Sequence, residues 1–124
     1  IMTHPGIEMI GCTVRDAVQN GEIHARAIKV LSEKFPSKST TVIMDLTVEA
    51  EAFGCNIQFP EHDMPHITGR LVDSYEAVEK LEVPGLSAGR VPEYLKANRI
   101  AVESITDRPV FAGAIGSFSL AGRL

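Results

Sequence analysis

The clearest hydrophobic pattern in the chain follows Asn20. Apolar residues recur there at intervals of about three and four, at Ile23, Ala27, Val30, Leu31 and Phe35, which is the spacing of one face of an amphipathic helix. Asn20 is a favourable residue at a helix N-terminus, and Pro36 cannot continue a helix. The pattern predicts a helix between these two residues, with His24 on its surface.

A second helix is predicted from Pro92 to about Thr106, because proline is favourable in the first turn of a helix. Its apolar spacing indicates that Leu95, Val102 and Ile105 face inward.

Two runs, residues 40–44 (TTVIM) and 109–115 (PVFAGAI), are nearly continuously apolar. Such runs are typical of strands buried on both faces of a parallel sheet. Helical segments separate them, which predicts βα units and an α/β fold. Two strands cannot close on themselves, and a barrel of alternating strands and helices needs about 250 residues, so the chain is expected to form about half of one.

The remaining segments carry weaker patterns. The stretch up to Asn20 contains Pro5, Gly6 and Gly11 and is predicted to be a loop with a turn of helix near residues 7–10. Short helices are predicted at residues 47–53, 74–81 and 118–124, the first of them ended by Gly54. Alternating residues 55–59 and 66–71 predict a hairpin or an irregular excursion.

Composition limits the possible partners and locations. Of 124 residues, 44% are hydrophobic and 23% are charged, as in globular domains. A formal charge of -4 with scattered basic residues argues against nucleic-acid binding, and no apolar run approaches the roughly 20 residues of a membrane helix. Cys12 and Cys55 do not form a disulfide framework, and no signal-peptide pattern is visible, so a cytoplasmic location is predicted.

Asp45 is the strongest candidate for chemistry, since a carboxylate at the carboxyl end of a buried parallel strand faces the ligand crevice of α/β folds. The alternative is that Asp45 caps the helix that begins near Thr47. His4, beside Pro5 in the first loop, is a candidate for ligand contact. His62, Asp63 and His66 form a candidate metal site in a loop, but solvated loop residues are the simpler interpretation, and no metal is assigned to the chain.

Three stretches in the correct order resemble the uroporphyrinogen decarboxylase family. DLTVEAEAFGC (residues 45–55) resembles the segment after the second barrel strand, and RPVFAGAIGSFSLA (residues 108–121) resembles the next strand and helix. MTHPG (residues 2–6) occupies the place where the first strand opens into the substrate loop. The resemblance implies the N-terminal portion of a TIM (β/α)8 barrel in a single unit over residues 1–124, with parallel strands and flanking helices.

The family has two main activities, and the first loop separates them. Decarboxylases of porphyrin (haem) biosynthesis carry the motif MRQAGR, whose arginines bind substrate carboxylates, whereas this chain has MTHPGI at residues 2–7. Each lost arginine contact is worth on the order of 1.5–3 kcal/mol, which argues against that activity. Asp45, however, matches the decarboxylase carboxylate that hydrogen-bonds pyrrole N–H groups, so this lyase activity remains an alternative.

The loop is more similar to that of the corrinoid-dependent methyltransferase branch, which moves a methyl group between a methylcobamide and a thiol such as coenzyme M. The resemblance implies that Asp45 is catalytic and that Thr3, His4, Gly6, Gly116 and Ser117 contact the substrate. It also implies zinc and a corrinoid in a longer parent protein, with the zinc ligands in its C-terminal half, and a small-molecule or corrinoid-protein substrate.

The abrupt start at Ile1 and the apolar end at Leu124 suggest a piece of a longer chain, inactive alone. A partial barrel exposes apolar surface, which predicts self-association through the open sheet. A non-enzymatic α/β assembly module is the second alternative.

Overall fold

The structure is a computed structural model that describes residues 3–124; Met2 of the first-loop motif lies outside the described residues. Within that range the elements are α1 (His4–Met9), α2 (Val14–Gln19), α3 (Gly21–Lys34), β1 (Thr40–Thr41), α4 (Val48–Ala52), β2 (Asn56–Gln58), β3 (His66–Thr68), α5 (Tyr75–Glu79), α6 (Val91–Ser104), β4 (Val110–Phe111) and α7 (Ser117–Ala121).

The two long helices were both predicted. Asn20 begins α3 as expected, because its side-chain oxygen accepts hydrogen bonds from the backbone N–H groups of Glu22 and Ile23. Pro92 lies in the first turn of α6. The helices pack against each other, and the core lies on both sides of α3.

The inward face of α6 differs from the predicted one. Ala97 and Ala101 are fully buried, whereas Leu95 and Val102 are 44% and 57% exposed. The expectation was correct only for Ile105, just beyond the helix, which is buried. The hydrophobic spacing predicted that the larger side chains form the buried face of α6, whereas the alanines form it.

Close packing of the two helices explains this difference. Gly21 at the start of α3 lies so near α6 that an added Cβ would be 2.4 Å from the carbonyl oxygen of Glu93. Only small residues permit such an approach, so alanines line the contact and the larger apolar residues of α6 fall on the opposite face. That face forms an open apolar groove of about 700 Å³.

The predicted parallel pairing is confirmed, but the strands are shorter than expected and are not buried on both faces. Thr40, Thr41 and Val110 are only half-buried and Phe111 is 59% exposed, because a single strand pair has too few neighbours to cover it. β1 and β4 are parallel, with Thr40 opposite Val110 and Thr41 opposite Phe111. After the paired residues of each strand, side chains form hydrogen bonds with the backbone. His24 accepts a hydrogen bond from the N–H of Ile43, and the hydroxyl of Tyr94 bonds to the backbone of Gly113. The predicted hairpin is confirmed as the antiparallel pair β2–β3.

The stretch before Asn20 contains two helices, so the loop prediction was wrong, although the turn of helix expected near residues 7–10 overlaps α1. α1 carries Pro5 in its first turn, where a missing N–H costs nothing. α2 begins at a capping box in which Thr13 and Asp16 bond each other's backbone N–H groups. These local signals outweigh the glycines that suggested a loop.

The short helices α4, α5 and α7 lie where the sequence predicts them, but they are shorter than predicted. Ser74 caps α5 through the N–H of Ala77, but the helix ends at Glu79. Gly54, with φ of 107°, follows α4, and α7 begins after Gly116. The described residues thus form an α/β unit with one parallel strand pair and flanking helices.

Candidate functional site

Asp45 lies just after β1 and is almost completely buried, with a side chain 3% exposed. One carboxylate oxygen accepts hydrogen bonds from the backbone N–H of Thr47 at 2.9 Å and from its hydroxyl at 2.7 Å. The other accepts from Arg90 at 2.6 Å. The bond to a backbone N–H two residues ahead is an Asx turn, so Asp45 holds the segment that leads into α4.

Arg90, at the start of α6, is the centre of this cluster. Its Nε donates to Glu51 at 2.6 Å, its Nη1 donates to Asp45 and to the carbonyl of Val18, and its Nη2 donates to the hydroxyl of Thr47. The guanidinium also lies 4.7 Å from the centre of the Phe59 ring, within the range of a cation–π interaction.

Most donors of the Arg90 guanidinium are therefore already used. The ion pairs are buried, where they are screened far less by solvent than surface pairs. They connect four segments: the end of α2, the residues after β1, α4 and the start of α6. We call Asp45, Thr47, Glu51 and Arg90 the arginine cluster.

A cavity of about 10 Å³ lies beside the arginine cluster. Asp45, Arg90, His24, Glu93 and Tyr94 contribute polar groups to its wall. A space of this size holds one water molecule at most. In this structure Asp45 therefore faces no space for a substrate, and its catalytic role stays a prediction.

His24 is buried, so the expectation of a surface histidine was wrong. Its Nε2 accepts the backbone N–H of Ile43 at 2.8 Å, which requires that this nitrogen carry no proton. Burial lowers the pKa of His24 to about 4, and the nearby Asp45 charge opposes this shift only in part. His24 lies four residues before the buried Ile28 on α3, so its position in the helix is compatible with burial. The sequence does not reveal that its imidazole bonds to the N–H of Ile43.

The backbone after β4 is held by two side chains from different helices. Tyr94 of α6 donates its hydroxyl to the carbonyl of Gly113 at 2.7 Å. Glu49 of α4 accepts the N–H of Ile115 at 3.0 Å. Burial raises the pKa of the Tyr94 phenol, which keeps it protonated as a donor. Residues 113–115 are thereby fixed at the carboxyl end of the strand pair.

The predicted substrate residues fall into two groups. Gly116 and Ser117 follow this fixed backbone, and both are exposed. Thr3 and Gly6 are buried, and an added Cβ on Gly6 would be 2.3 Å from the carbonyl oxygen of Ala27 on α3. His4 begins α1 and lies 3.3 Å from Glu8. The hydrogen bonds and the ion pair of Asp45 go to Thr47 and Arg90 and to none of these residues.

Several residues of the site were not found from the sequence: Thr47, Glu49, Glu51, Arg90, His24 and Tyr94. Arg90 is a single charge between a glycine-containing loop and a proline that begins a helix, and nothing local distinguishes it from a surface arginine. Its carboxylate partners are 39 and 45 residues away. Only the fold brings them together.

Among residues 3–124, no three His, Cys, Asp or Glu side chains are grouped so that they could hold a metal ion. His66 bonds to Gln58 across the hairpin. Cys12 and Cys55 are free thiols, and burial raises the pKa of Cys55. No helix in the described part is long and apolar enough to span a bilayer.

Comparison with known proteins identifies related chains. The profile described as uroporphyrinogen decarboxylase (URO-D) matches residues 1–124. Methylcobamide:CoM methyltransferase MtbA of Methanosarcina acetivorans is 36% identical over 86 residues, which are 68% of this chain and 25% of that protein. The protein of the same name from Methanosarcina mazei is 34% identical over 110 residues, which are 81% and 32% of the two chains.

A solved structure described as a methyltransferase from Methanosarcina mazei is also similar. It superposes with a TM-score of 0.87 at 27% identity, over 98% of this chain and 36% of that chain. The present chain spans about a quarter to a third of the length of the curated relatives that it matches.

Proposed function

The chain belongs to the uroporphyrinogen decarboxylase family, and we propose that it is the N-terminal part of a TIM-barrel methyltransferase that moves a methyl group between a corrinoid and a thiol such as coenzyme M. The observation that carries this proposal is the identity of 34–36% with two proteins named methylcobamide:CoM methyltransferase. The structural similarity to a methyltransferase over nearly the whole chain supports it.

The decarboxylase alternative has less support. Residues 2–7 lack both arginines of the decarboxylase loop. Arg90 cannot replace them in this conformation, because it is buried and paired with Asp45 and Glu51. Asp45 already accepts three hydrogen bonds and its side chain is 3% exposed, so it presents no accessible acceptor to pyrrole N–H groups in this conformation.

In the proposed protein this chain supplies part of the frame at the carboxyl ends of the strands. The arginine cluster fixes the segment after β1, while Tyr94 and Glu49 fix the backbone after β4. Gly116 and Ser117 are the substrate contacts best supported by their exposure. The His4 side chain is 38% exposed and needs no rearrangement to contact a ligand. A contact with Thr3 or Gly6 needs a change at the start of α1, and a catalytic contact of Asp45 needs Arg90 to release it.

The zinc and the corrinoid belong to the proposed parent protein. The family resemblance implies that the zinc ligands lie in the C-terminal half of that parent, and no residue of this chain is proposed as a zinc ligand. The corrinoid is a substrate: the thiol loses its proton, its sulfur forms a bond to the methyl carbon, and the cobalt–carbon bond breaks with its electron pair remaining on cobalt. We propose that the 124-residue chain alone does not catalyse this transfer.

The test is an assay of the full-length parent with methylcobalamin and coenzyme M, followed by loss of free thiol. We expect methyl transfer by the parent and none by the 124-residue chain. Ser117→Ala should raise the KM for one substrate, whereas the matched exposed variant Ser119→Ala should not. Release of CO2 from uroporphyrinogen without methyl transfer would overturn the proposal in favour of the decarboxylase.

A further inference from the structure

The connection between β4 and α7 is held by side chains. Residues 112–116 leave the strand pair after Phe111 and lead to α7, which begins at Ser117. Within the part of the chain that the structure describes, residues 113–115 form no backbone–backbone hydrogen bond. A backbone segment without such bonds keeps one conformation only where other contacts fix it. The contacts of this connection therefore determine the positions of Gly116 and Ser117.

Glu49 makes the contact that lies closest in the chain to these two candidate substrate residues. Its Oε1 accepts a hydrogen bond from the N–H of Ile115 at 3.0 Å. Glu49 is half-buried, and it forms no ion pair with any residue between Thr3 and Leu124. Partial removal of a carboxylate from water is unfavourable unless hydrogen bonds compensate for it. The bond to Ile115 provides this compensation.

The geometry of α4 directs Glu49 away from the arginine cluster. Successive residues of an α-helix are about 100° apart around its axis, so the side chains at positions 49 and 51 point in nearly opposite directions. Glu51 bonds to Arg90, whereas Glu49 bonds to the connection after β4. This short helix therefore contacts the surroundings of Asp45 on one side and the backbone before Ser117 on the other.

Tyr94 holds the same connection two residues earlier. Its hydroxyl donates to the carbonyl of Gly113 at 2.7 Å and accepts from the N–H of Gly113 at 3.3 Å. Gly113 also packs on Met44, whose Cε would lie 3.1 Å from an added Cβ. Burial raises the pKa of Tyr94, and the charge of Glu49 acts in the same direction. The two anchoring side chains are therefore close together.

We propose that Glu49 is a positioning residue for substrate binding, an inference that rests on the proposed function. By accepting the N–H of Ile115, its carboxylate fixes the backbone from which Gly116 and Ser117 contact the substrate. In this role Glu49 acts through the backbone and does not itself touch the substrate. Its removal should therefore raise the KM for the substrate that Ser117 contacts and change kcat less.

The first test measures amide hydrogen exchange in the full-length parent, on peptides that contain residues 112–116. Glu49→Ala removes the acceptor of the Ile115 N–H, so this amide should exchange about tenfold faster or more, as expected when a bond to a charged group is lost. Glu49→Gln keeps an acceptor oxygen and should stay close to the wild type. Glu103→Ala, which removes an exposed glutamate near the end of α6, is the matched control and should leave exchange unchanged.

The second test measures KM and kcat for methylcobalamin and coenzyme M in the same variants. Glu49→Ala should raise the KM that Ser117→Ala raises, by about three- to tenfold, with a smaller change in kcat. Because both substitutions act on one contact, the double variant should have a KM close to that of the more affected single variant. A combined change equal to the product of the two separate changes would overturn the proposal, since Glu49 and Ser117 would then act independently.

Tyr94→Phe provides an independent variant. It removes the hydroxyl that bonds to Gly113 and keeps the aromatic ring. Residues 112–116 should again exchange faster, and the same KM should rise. Wild-type values for both would overturn the proposal, even if Glu49→Ala proved too unstable to assay. Circular dichroism checks that each variant remains folded.

The outcomes also separate this inference from the proposed function. If the parent transfers methyl groups and Glu49→Ala leaves both KM values unchanged, the positioning role is wrong and the proposed function stands. The positioning role is also wrong if Glu49→Gln behaves like Glu49→Ala. If Glu49→Ala exchanges faster at residues 112–116 but no form of the parent transfers a methyl group, the proposed function fails and only the anchoring of Ile115 by Glu49 is supported.

Discussion

One arginine lies at each end of the β1–β4 strand pair. The two arginines differ in how exposed their carboxylate partners are. At the carboxyl ends, the Arg90 side chain is 9% exposed and pairs with Asp45 and Glu51. At the amino ends, the Arg108 side chain is 15% exposed, but its partner Asp107 is 65% exposed, and Arg108 also donates to the carbonyls of Phe35 and Ser37.

This difference predicts that the two ends of the strand pair contribute unequally to the stability of the fold. A buried ion pair becomes strongly unfavourable once one partner is removed, because the remaining charge has no water to solvate it. An exposed charge that loses its partner is solvated at once. The carboxyl end, where substrates bind in folds of this class, is therefore the end at which single substitutions should have the larger effects.

The largest effect is expected for the arginine cluster. Arg90→Ala leaves Asp45 and Glu51 buried or partly buried without a cation, and Asp45→Ala leaves the guanidinium with one carboxylate. Arg90→Ala should lower the free energy of unfolding by on the order of 3–5 kcal/mol. Asp45→Ala should lower it by less, because Glu51 still pairs with the guanidinium; both are measured by urea titration.

A double-mutant cycle with Arg90→Ala and Asp45→Ala sharpens this prediction. Because the two residues are in direct contact, the double variant should lose less than the two single losses added together. Additive losses would mean that the two side chains stabilise the fold independently, contrary to their 2.6 Å contact.

The second effect is a dependence of stability on pH that originates at His24. Its pKa is about 4 in the fold and near 6.5 when unfolded, so the unfolded chain binds the proton first as the pH falls. The contribution is fully present above pH 6.5 and is lost toward pH 4. Each pH unit removes up to about 1.4 kcal/mol, which amounts to roughly 3 kcal/mol across the window.

His24→Gln isolates this contribution, because the glutamine oxygen can still accept the N–H of Ile43 but does not titrate. We expect the free energy of unfolding of the wild type to fall more steeply than that of the variant between pH 6.5 and pH 5, above the range in which most carboxylates titrate. Parallel pH profiles for the two proteins would show that the buried histidine is not responsible.

The third effect concerns the close packing of α3 on α6 at the same end. In Gly21→Ala, the new Cβ would lie 2.4 Å from the carbonyl oxygen of Glu93 and 2.9 Å from the backbone nitrogen of Ala97. Backbone atoms cannot move aside as flexible side chains do, so the variant should lose roughly 1–3 kcal/mol.

Gly116→Ala is the matched control, since nothing lies within 4 Å of its added Cβ. Its melting temperature should stay near that of the wild type, measured by calorimetry. A loss equal to that of Gly21→Ala would contradict the packing argument.

The sequence predicted the elements whose signals are local. Asn20, Ser74 and Pro92 begin helices as expected, and the parallel pairing of the two apolar runs is confirmed. The inward face of α6 was predicted incorrectly, because periodicity ranks positions by hydrophobicity and takes no account of how closely two backbones approach.

The site was predicted less completely, for a physical reason. Asp45 was singled out because its position directly after an apolar run is a local feature. The partners that determine its state, Arg90 and Thr47, come into contact through tertiary packing and have no characteristic spacing in the chain. The same holds for His24, whose burial depends on the Ile43 N–H that it meets.

The smallest effect is expected at the amino ends. Arg108→Ala removes the bonds to Asp107 and to the carbonyls of Phe35 and Ser37, but water can replace the guanidinium at each exposed acceptor. Its loss of stability in urea should be much smaller than that of Arg90→Ala and should shrink further when salt is added, because salt screens the exposed pair in the wild type. If Arg108→Ala destabilised the chain as much as Arg90→Ala at high salt, burial would not be what distinguishes the two ends.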